Sequence, residues 1–241
     1  MIISAEPHIA AIIGSYDDHP AATNFLSQYK NLFHHYVHQT SNQDASTFWG
    51  ACGAIRRDVF FSVGGFDERY RFPSIEDIEL GYRLKRAGYS IRLCKTLQVK
   101  HLKCWRTPSL LKADVWFRAL PWTELIWREG SMLNDLNLGT TSRASVIGVY
   151  LLLSALIGTF KWPALFVVAG IIAFALFIGN ADVYRFFLRK RGITFMLYAV
   201  VWHWFYYAYS GFAFAVGTGL HFARFFKLRQ RLTPQITGPT Q

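Results

Sequence analysis

Between Pro73 and Tyr89 the chain reads PSIEDIELGYRLKRAGY, and three of its first seven residues, Glu76, Asp77 and Glu79, are carboxylates. Acids at such a spacing serve two kinds of chemistry. In a helix's first turn they offset the positive end of the dipole, each contributing about 0.3–1 kcal/mol. An inward-facing carboxylate at the start of an element can instead take a proton as a general base. Ser74 followed three residues later by Asp77 is a capping-box signature and Gly88 supplies a stop, so a helix is expected from about Ile75 to Ala87. At about 100° per residue, Asp77 shares a face with Leu80, Gly81 and Leu84, while Glu79 falls opposite, four residues before Arg83 in a favourable ion-pair order. Asp77 is read as the inward acid and Glu79 as a solvated partner of Arg83.

The elements that must hold such a residue are legible around it. HIAAIIGSYDD is a short apolar run ending in turn residues, the pattern of a buried strand and a loop. From Asn24 to Gln39, Phe25, Tyr29, Leu32, Phe33, Tyr36 and Val37 recur near helical spacing and predict an amphipathic helix. His34 and His38 share one face of it. Their geometry is metal-capable, but without the adjacent glutamate of a zincin pattern they are read as a polar face. The small-residue run Gly50–Ala54 lets a packed element or a ligand approach the backbone closely. YSIRLCKTLQVKH then reads as a strand ending at His101, and strand-helix-strand order predicts an α/β or mixed domain over residues 1–106.

Charge runs through the first 140 residues and is then interrupted by long apolar stretches. Lys161 is the lone charge from Ala144 to Gly179, and none lies between Ile193 and Leu220 with His203 neutral. Membrane helices are therefore expected at about 144–160, 164–179 and 193–219 within a region 144–226, since about 20 apolar residues cross a bilayer core. The first two form a hairpin broken at KWP, with both ends inside. Basic clusters flank the third at both ends, so a single crossing would put Arg224, Lys227, Arg229 and Arg231 outside; the sequence leaves re-entry and crossing both open. Residues 107–130 are expected to form an interfacial amphipathic helix, a collar with Trp116, Trp122 and Trp127 at headgroup depth. A linker at 131–143 and a polar tail at 227–241 complete the plan. The opening residues lack a basic n-region, so the N-terminal part is expected on the cytoplasmic side. Cys52, Cys94 and Cys104 are odd in number with no CxxC spacing and read as reduced packing residues. The net charge of +11 gathers beside the apolar segments, which points to anionic lipid and excludes nucleic acid as the expected partner.

The order FWGACGAIRR, VGGFDE, IEDIELGYRLKRAGY and VKH, followed by a collar and apolar helices, resembles the family 2 glycosyltransferases of GT-A fold, in particular membrane-anchored members. The resemblance covers about Ile9 to Trp122. It implies that Asp77 is the catalytic base, deprotonating an acceptor hydroxyl for in-line attack on the anomeric carbon of a nucleotide-sugar, and that Glu76 binds the acceptor or orients the base. It implies that Gly50, Cys52, Gly53 and Arg56 form the wall beneath donor sugar and acceptor. His101 would be a ligand of a divalent metal, Mg²⁺ or Mn²⁺, and Arg118 and Trp122 in RALPW would be a membrane-proximal substrate-binding pair. The implied partners are a nucleotide-sugar, a lipid or glycan acceptor and membrane lipids.

The family also implies a nucleotide-binding half with an Asp-x-Asp. This sequence contains no Asp-x-Asp, and Tyr16-Asp17-Asp18 is read as a turn. The expected fold is thus a partial GT-A domain, the acceptor-side half, followed by the collar and transmembrane α-helices. Its nucleotide-binding half is expected on a longer or a companion chain, and the chain alone is expected to be inactive. Two other readings compete. A non-catalytic membrane subunit would keep the acceptor surface as a scaffold, and a metal hydrolase on His34, His38 and the acidic helix would lose metal on His38→Ala but not on Asp77→Asn.

Overall fold

The first apolar run becomes β1 (Ile9–Tyr16), with Ile9, Ala10, Ala11 and Ile13 all 1% exposed or less, as a strand covered on both faces requires. The computed structural model describes residues 6, 8–130 and 139–232, with side chains as far as residue 227. β1 pairs in parallel with β4 (Ser90–Val99) and antiparallel with β3 (Gly53–Ile55), and β2 (Asp44–Ala45) joins the far side of β4. The order β2-β4-β1-β3 leaves β3 as a short, largely exposed edge. Helices α1 (Phe25–Thr40), α2 (Arg57–Ser62) and α3 (Glu76–Arg86) complete the α/β part. α3 lies so close to the chain at Thr47 and Phe48 that a Cβ on Gly81 would stand 2.4 Å from the Phe48 amide nitrogen.

α1 departs from the simple amphipathic expectation, because both of its faces are covered. Tyr29, Leu32 and Phe33 pack against Tyr184, Phe187, Met196 and Ala199 of the C-terminal helices. The opposite face lies on β1: Asn31 Nδ2 donates to the Asp17 carbonyl (2.7 Å), while His35 Nδ1 and His38 Nδ1 bond the Tyr16 (2.7 Å) and Gly14 (2.9 Å) carbonyls. The polar stripe is thus turned inward to meet strand backbone, not water.

The expected collar is one rod in three pieces: α4 (Thr107–Asp114), a π-helical turn (Val115–Ala119) and α5 (Leu120–Glu129). A π turn takes an extra residue, which rotates the following helix by roughly 100° relative to a continuous α-helix. That rotation divides the tryptophans. Trp116 and Trp127 stay exposed, whereas Trp122 turns inward.

The C-terminal part is helical: α6 (Thr140–Gly158), α7 (Leu165–Gly179) and α8 (Ala181–Leu232), the last kinked at Gly192, whose φ of 80° is one that glycine adopts without penalty. α6 is long and apolar enough to cross a membrane; α7 and α8 together, bent by 66°, make at most a second span. Among the described residues these helices make one span, or two if the bent pair counts as one, so three separate spans are not confirmed. At 15 residues α7 is about 22 Å long, short of a hydrocarbon core of about 30 Å. The stretch expected at 193–219 runs as continuous helix beside α1 and α5, where Trp127 Nε1 donates to Thr218 Oγ1 (3.0 Å). Most of the expected linker (131–138) and the end of the tail (233–241) lie outside the described residues.

Candidate active site

The carboxylates divide by what each one bonds. Asp77 Oδ2 accepts from the Gly50 amide (2.9 Å) and Oδ1 from the Ile78 amide (2.8 Å), one of the first-turn donors that a helix leaves unpaired. Glu76 Oε2 accepts from the Ser74 amide (2.7 Å). The expected capping box does not form, because the Ser74 hydroxyl donates elsewhere, to the Phe117 carbonyl. Pro121 has no amide to offer that carbonyl, and Ser74 supplies a donor to it across the two elements. Ser74→Ala removes that bond and should cost about 0.5–1.5 kcal/mol, read as a fall in Tm on thermal unfolding.

Glu79 is corrected outright. It pairs with Arg83 as expected, Arg83 Nη2 donating to Oε2 at 2.7 Å, but it is 4% exposed rather than solvated. The loop after α2 folds over the pair, with Arg83 also donating to the Val63 and Gly65 carbonyls, and Arg128 of α5 approaches from above (3.6 Å). The arginine fork thereby ties the GGFDE turn to α3.

Asp77 faces a cavity of about 130 Å³ whose walls include Arg118 and Trp122. Burial pushes the Asp77 carboxyl above its ordinary value and Glu76 adds to this; the Gly50 and Ile78 amides and Arg118 pull the other way without cancelling it. A half-buried carboxylate with raised proton affinity, at the wall of a cavity, is suited to remove a proton from a hydroxyl.

Of the other sequence candidates, Gly50 touches Asp77 directly, but Cys52, Gly53 and Arg56 are not among the cavity walls. The Cys52 sulfur packs over Gly14, where an added Cβ would come within 2.7 Å of it. At Gly53 a Cβ would meet the Phe48 ring at 2.6 Å and the Trp49 carbonyl at 2.7 Å, so the small-residue run admits a packed element there. Arg56 stands at the start of α2 beside Asp58 (3.6 Å). His101 is buried with its ring 4.5 Å from that of Tyr16 and its Nδ1 unpartnered; burial pulls it below the usual histidine value, helped by Lys103 and Arg118.

Sequence reasoning missed the α1 contribution. Lys30, His34 and His38 also line the cavity, with Trp49 packed on both histidines at 4.9 and 5.1 Å between ring centres. The signal was present: Ser27, Asn31, His34, His35 and His38 form a stripe as regular as the aromatic one. Behind it, Asp114 is 6% exposed and binds Lys30 Nζ (2.8 Å), Arg118 Nη1 (3.1 Å) and the Tyr209 hydroxyl (2.8 Å). Burial alone would raise the Asp114 carboxyl, but Lys30 and Arg118 together hold it below its ordinary value. One carboxylate thus locks α1, the collar and α8 around the cavity.

Residues 31–105 match the family described as the N-terminal domain of galactosyltransferase. This is a glycosyltransferase domain, GT-A-like in type. The matched stretch includes His34, Gly50, Glu76, Asp77 and His101 and stops short of Arg118 and Trp122. The glycosyltransferase domain is also similar to the N-acetylglucosaminyl-diphospho-decaprenol L-rhamnosyltransferase of Mycobacterium tuberculosis, 45% identical over 58 residues, 24% of this chain and 19% of the relative. The O-antigen biosynthesis protein RfbC of Myxococcus xanthus is 37% identical over 68 residues, 27% of this chain and 5% of that protein. The chain thus spans under a fifth of the length of these relatives in the matched region. No solved structure matches it significantly. Among the described residues of the glycosyltransferase domain and the helices after it, no three His, Cys, Asp or Glu side chains converge to hold a metal ion. Mg²⁺ favours oxygen ligands in a near-octahedral set, so His101 by itself does not fit such an ion.

Proposed function

We propose that the chain carries the acceptor side of an inverting glycosyltransferase that moves a sugar from a nucleotide-sugar to a membrane-associated acceptor, lipid or polysaccharide. The observation that carries the reading is Asp77, held by the Gly50 amide at the wall of a cavity shared with Arg118 and Trp122. In the proposed step Asp77 takes the proton of an acceptor hydroxyl. The oxygen forms a bond to the anomeric carbon on the face opposite the nucleoside diphosphate, whose bond to that carbon breaks with the electron pair leaving on the phosphate. Arg118 offsets negative charge near the base. The donor side, including any Asp-x-Asp and the Mg²⁺ or Mn²⁺ bound there, is assigned to a nucleotide-binding half, for which the exposed β3 edge is the natural place to join the sheet.

The same reading puts the chain at the membrane with its α/β part on the cytoplasmic side. Support comes from the α6–α7 hairpin, whose Ile147, Leu151, Ile157, Phe166, Ile171 and Phe174 are exposed, and whose tip carries Lys161 and Trp162. The basic segment at 185–191 is bonded to the α/β part: Lys190 donates to Asp18, and Arg191 Nη2 to the Asp18 carbonyl (2.7 Å), which keeps both on one side. Exposed Leu197, Val201, Phe205, Phe212, Val216 and Leu220 form a stripe along α8 opposite its packed face, the pattern of a helix lying in the interface. An α8 lying in the plane removes the conflict between the basic clusters at its two ends. Native membranes containing the chain, supplied with a panel of radiolabelled nucleotide-sugars, should transfer label to a solvent-extractable or polymeric product, with inversion. No transfer from any donor, in membranes where both the chain and a nucleotide-binding half are detected, would leave the scaffold reading in its place.

A further inference from the structure

Of the expected turn Tyr16-Asp17-Asp18, Tyr16 belongs to the sheet: it is the last residue of β1, opposite Val99 at the end of the parallel strand β4. The Asp17 amide donates to the Val99 carbonyl (3.0 Å), and the Tyr16 carbonyl is bonded by His35 Nδ1 (2.7 Å), so the backbone is fixed at this point. In α/β sheets ligands lie in the crevice beyond the carboxyl ends of the parallel strands. Tyr16 stands at that end.

Its ring is held on three sides. The centre lies 4.7 Å from the Trp49 ring, edge-on, 5.0 Å from His34 and 4.5 Å from His101. Trp49 and His34 are themselves walls of the cavity that Asp77 and Arg118 share. The hydroxyl is placed differently. Among the described residues nothing bonds it, and it is not one of the orphaned polar atoms that the fold encloses completely; Tyr16 as a whole is half-buried. Phenylalanine would satisfy the ring contacts, so packing leaves the hydroxyl unused. Burial raises the phenol above its ordinary value, Arg118 opposes this and Asp77 adds to it; the hydroxyl is thus within electrostatic reach of both groups and stays protonated at neutral pH. It is a neutral hydrogen-bond donor beside the base.

We propose that Tyr16 binds the acceptor: its hydroxyl donates to an acceptor oxygen adjacent to the one that Asp77 deprotonates, and so turns the reacting hydroxyl towards the base. This rests on Asp77 as the base, and it names the group that orients what the base acts on. The oxygen held by Tyr16 is not the attacking one, because a donor there would draw on the lone pair that has to reach the anomeric carbon. The acceptor class is therefore one that presents two oxygens side by side, as a vicinal diol does. With one held by Tyr16 and the other at Asp77, the acceptor enters the reaction already oriented.

The test is Tyr16→Phe in native membranes that hold the chain and its nucleotide-binding half, with transfer followed against nucleotide-sugar concentration and against pH. The substitution keeps the ring, so Tm should stay within about 2 °C of the unaltered chain; a larger drop would make the hydroxyl structural and overturn the proposal. Transfer at saturating donor should fall about three- to fifteenfold, the worth of one neutral hydrogen bond, while the donor KM stays within about twofold. The acid limb should remain in place, since Asp77 still takes the proton. A fall of less than about threefold overturns the proposal. So does a loss that appears only as a higher donor KM, which would put the phenol on the nucleotide-sugar, or a displaced acid limb, which would mean that Tyr16 acts only through Asp77. Failure of the underlying reading is a separate result: normal transfer by Asp77→Asn removes the base, whereas full activity of Tyr16→Phe beside an inactive Asp77→Asn removes Tyr16 alone. No transfer by the unaltered chain removes both.

Discussion

Asp77→Asn is expected to lower sugar transfer in native membranes by about 10²- to 10⁴-fold, the usual contribution of a positioned general base. The substitution is nearly isosteric. An amide oxygen can still accept from the Gly50 amide, now at 2.9 Å from the carboxylate, so the turn at Gly50 and the start of α3 keep their contact. What is lost is the ability to take a proton, together with the bond from the Ile78 amide, since the Asn side chain has a single acceptor oxygen; nucleotide-sugar binding should be little changed. Unaltered transfer should fall as pH drops through the Asp77 ionisation. Since burial and Glu76 raise that ionisation, the acid limb should lie above the ordinary Asp value of 3.8. Residual transfer by the Asn variant should lack this limb. Turnover within about threefold of the unaltered enzyme, or an acid limb unchanged in the variant, would remove Asp77 from the reaction.

Glu79→Ala should be the most destabilising of the acidic-helix substitutions, costing about 3–5 kcal/mol, as expected when a buried pair loses one partner. Arg83 would be left with its charge beside the Val63 and Gly65 carbonyls and without the carboxylate that pairs with it. Against a typical total of roughly 5–15 kcal/mol, such a loss is visible as a large drop in Tm. The solvated pair expected from helical phase would cost under about 1 kcal/mol. Thermal unfolding in detergent decides between them, and a drop of only the smaller size would return Glu79 to the surface. Glu76→Ala, which removes one bond to the Ser74 amide, is the control and should cost about 0.5–1.5 kcal/mol.

The contrast between Glu79 and Asp77 shows where periodicity stops being informative. Helical phase separated the two acids and paired Glu79 with Arg83 correctly, because those are relations within one element. It assigned the Arg83 side to water because only one apolar stripe was visible. The loop at Gly64–Glu68 and Arg128 cover that side, and neither announces itself as a helix face. α1 repeats the lesson: its span was expected within a residue of Phe25–Thr40, yet its histidines were read only as a polar face, because strand carbonyls at Gly14, Tyr16 and Asp17 do not appear in a hydropathy pattern.

By itself the sequence determined the buried first strand, the bounds of the acidic and aromatic helices, the inward phase of Asp77, and the motif order that marks a glycosyltransferase. Each is local, settled by propensity, periodicity or a short run of residue types. Only the tertiary structure decided that Trp122 turns inward after a π turn, that Ser74 serves Phe117 rather than its own helix, and that the last apolar stretch lies beside α1 and α5. These depend on contacts between distant residues, such as Lys30 with Asp114, 84 positions apart, and Asp18 with Lys190, 172 apart. A residue's own neighbours set the angle at which it leaves its helix; what covers it there is set by whichever remote segment buries the most apolar surface and satisfies the most polar groups on arrival.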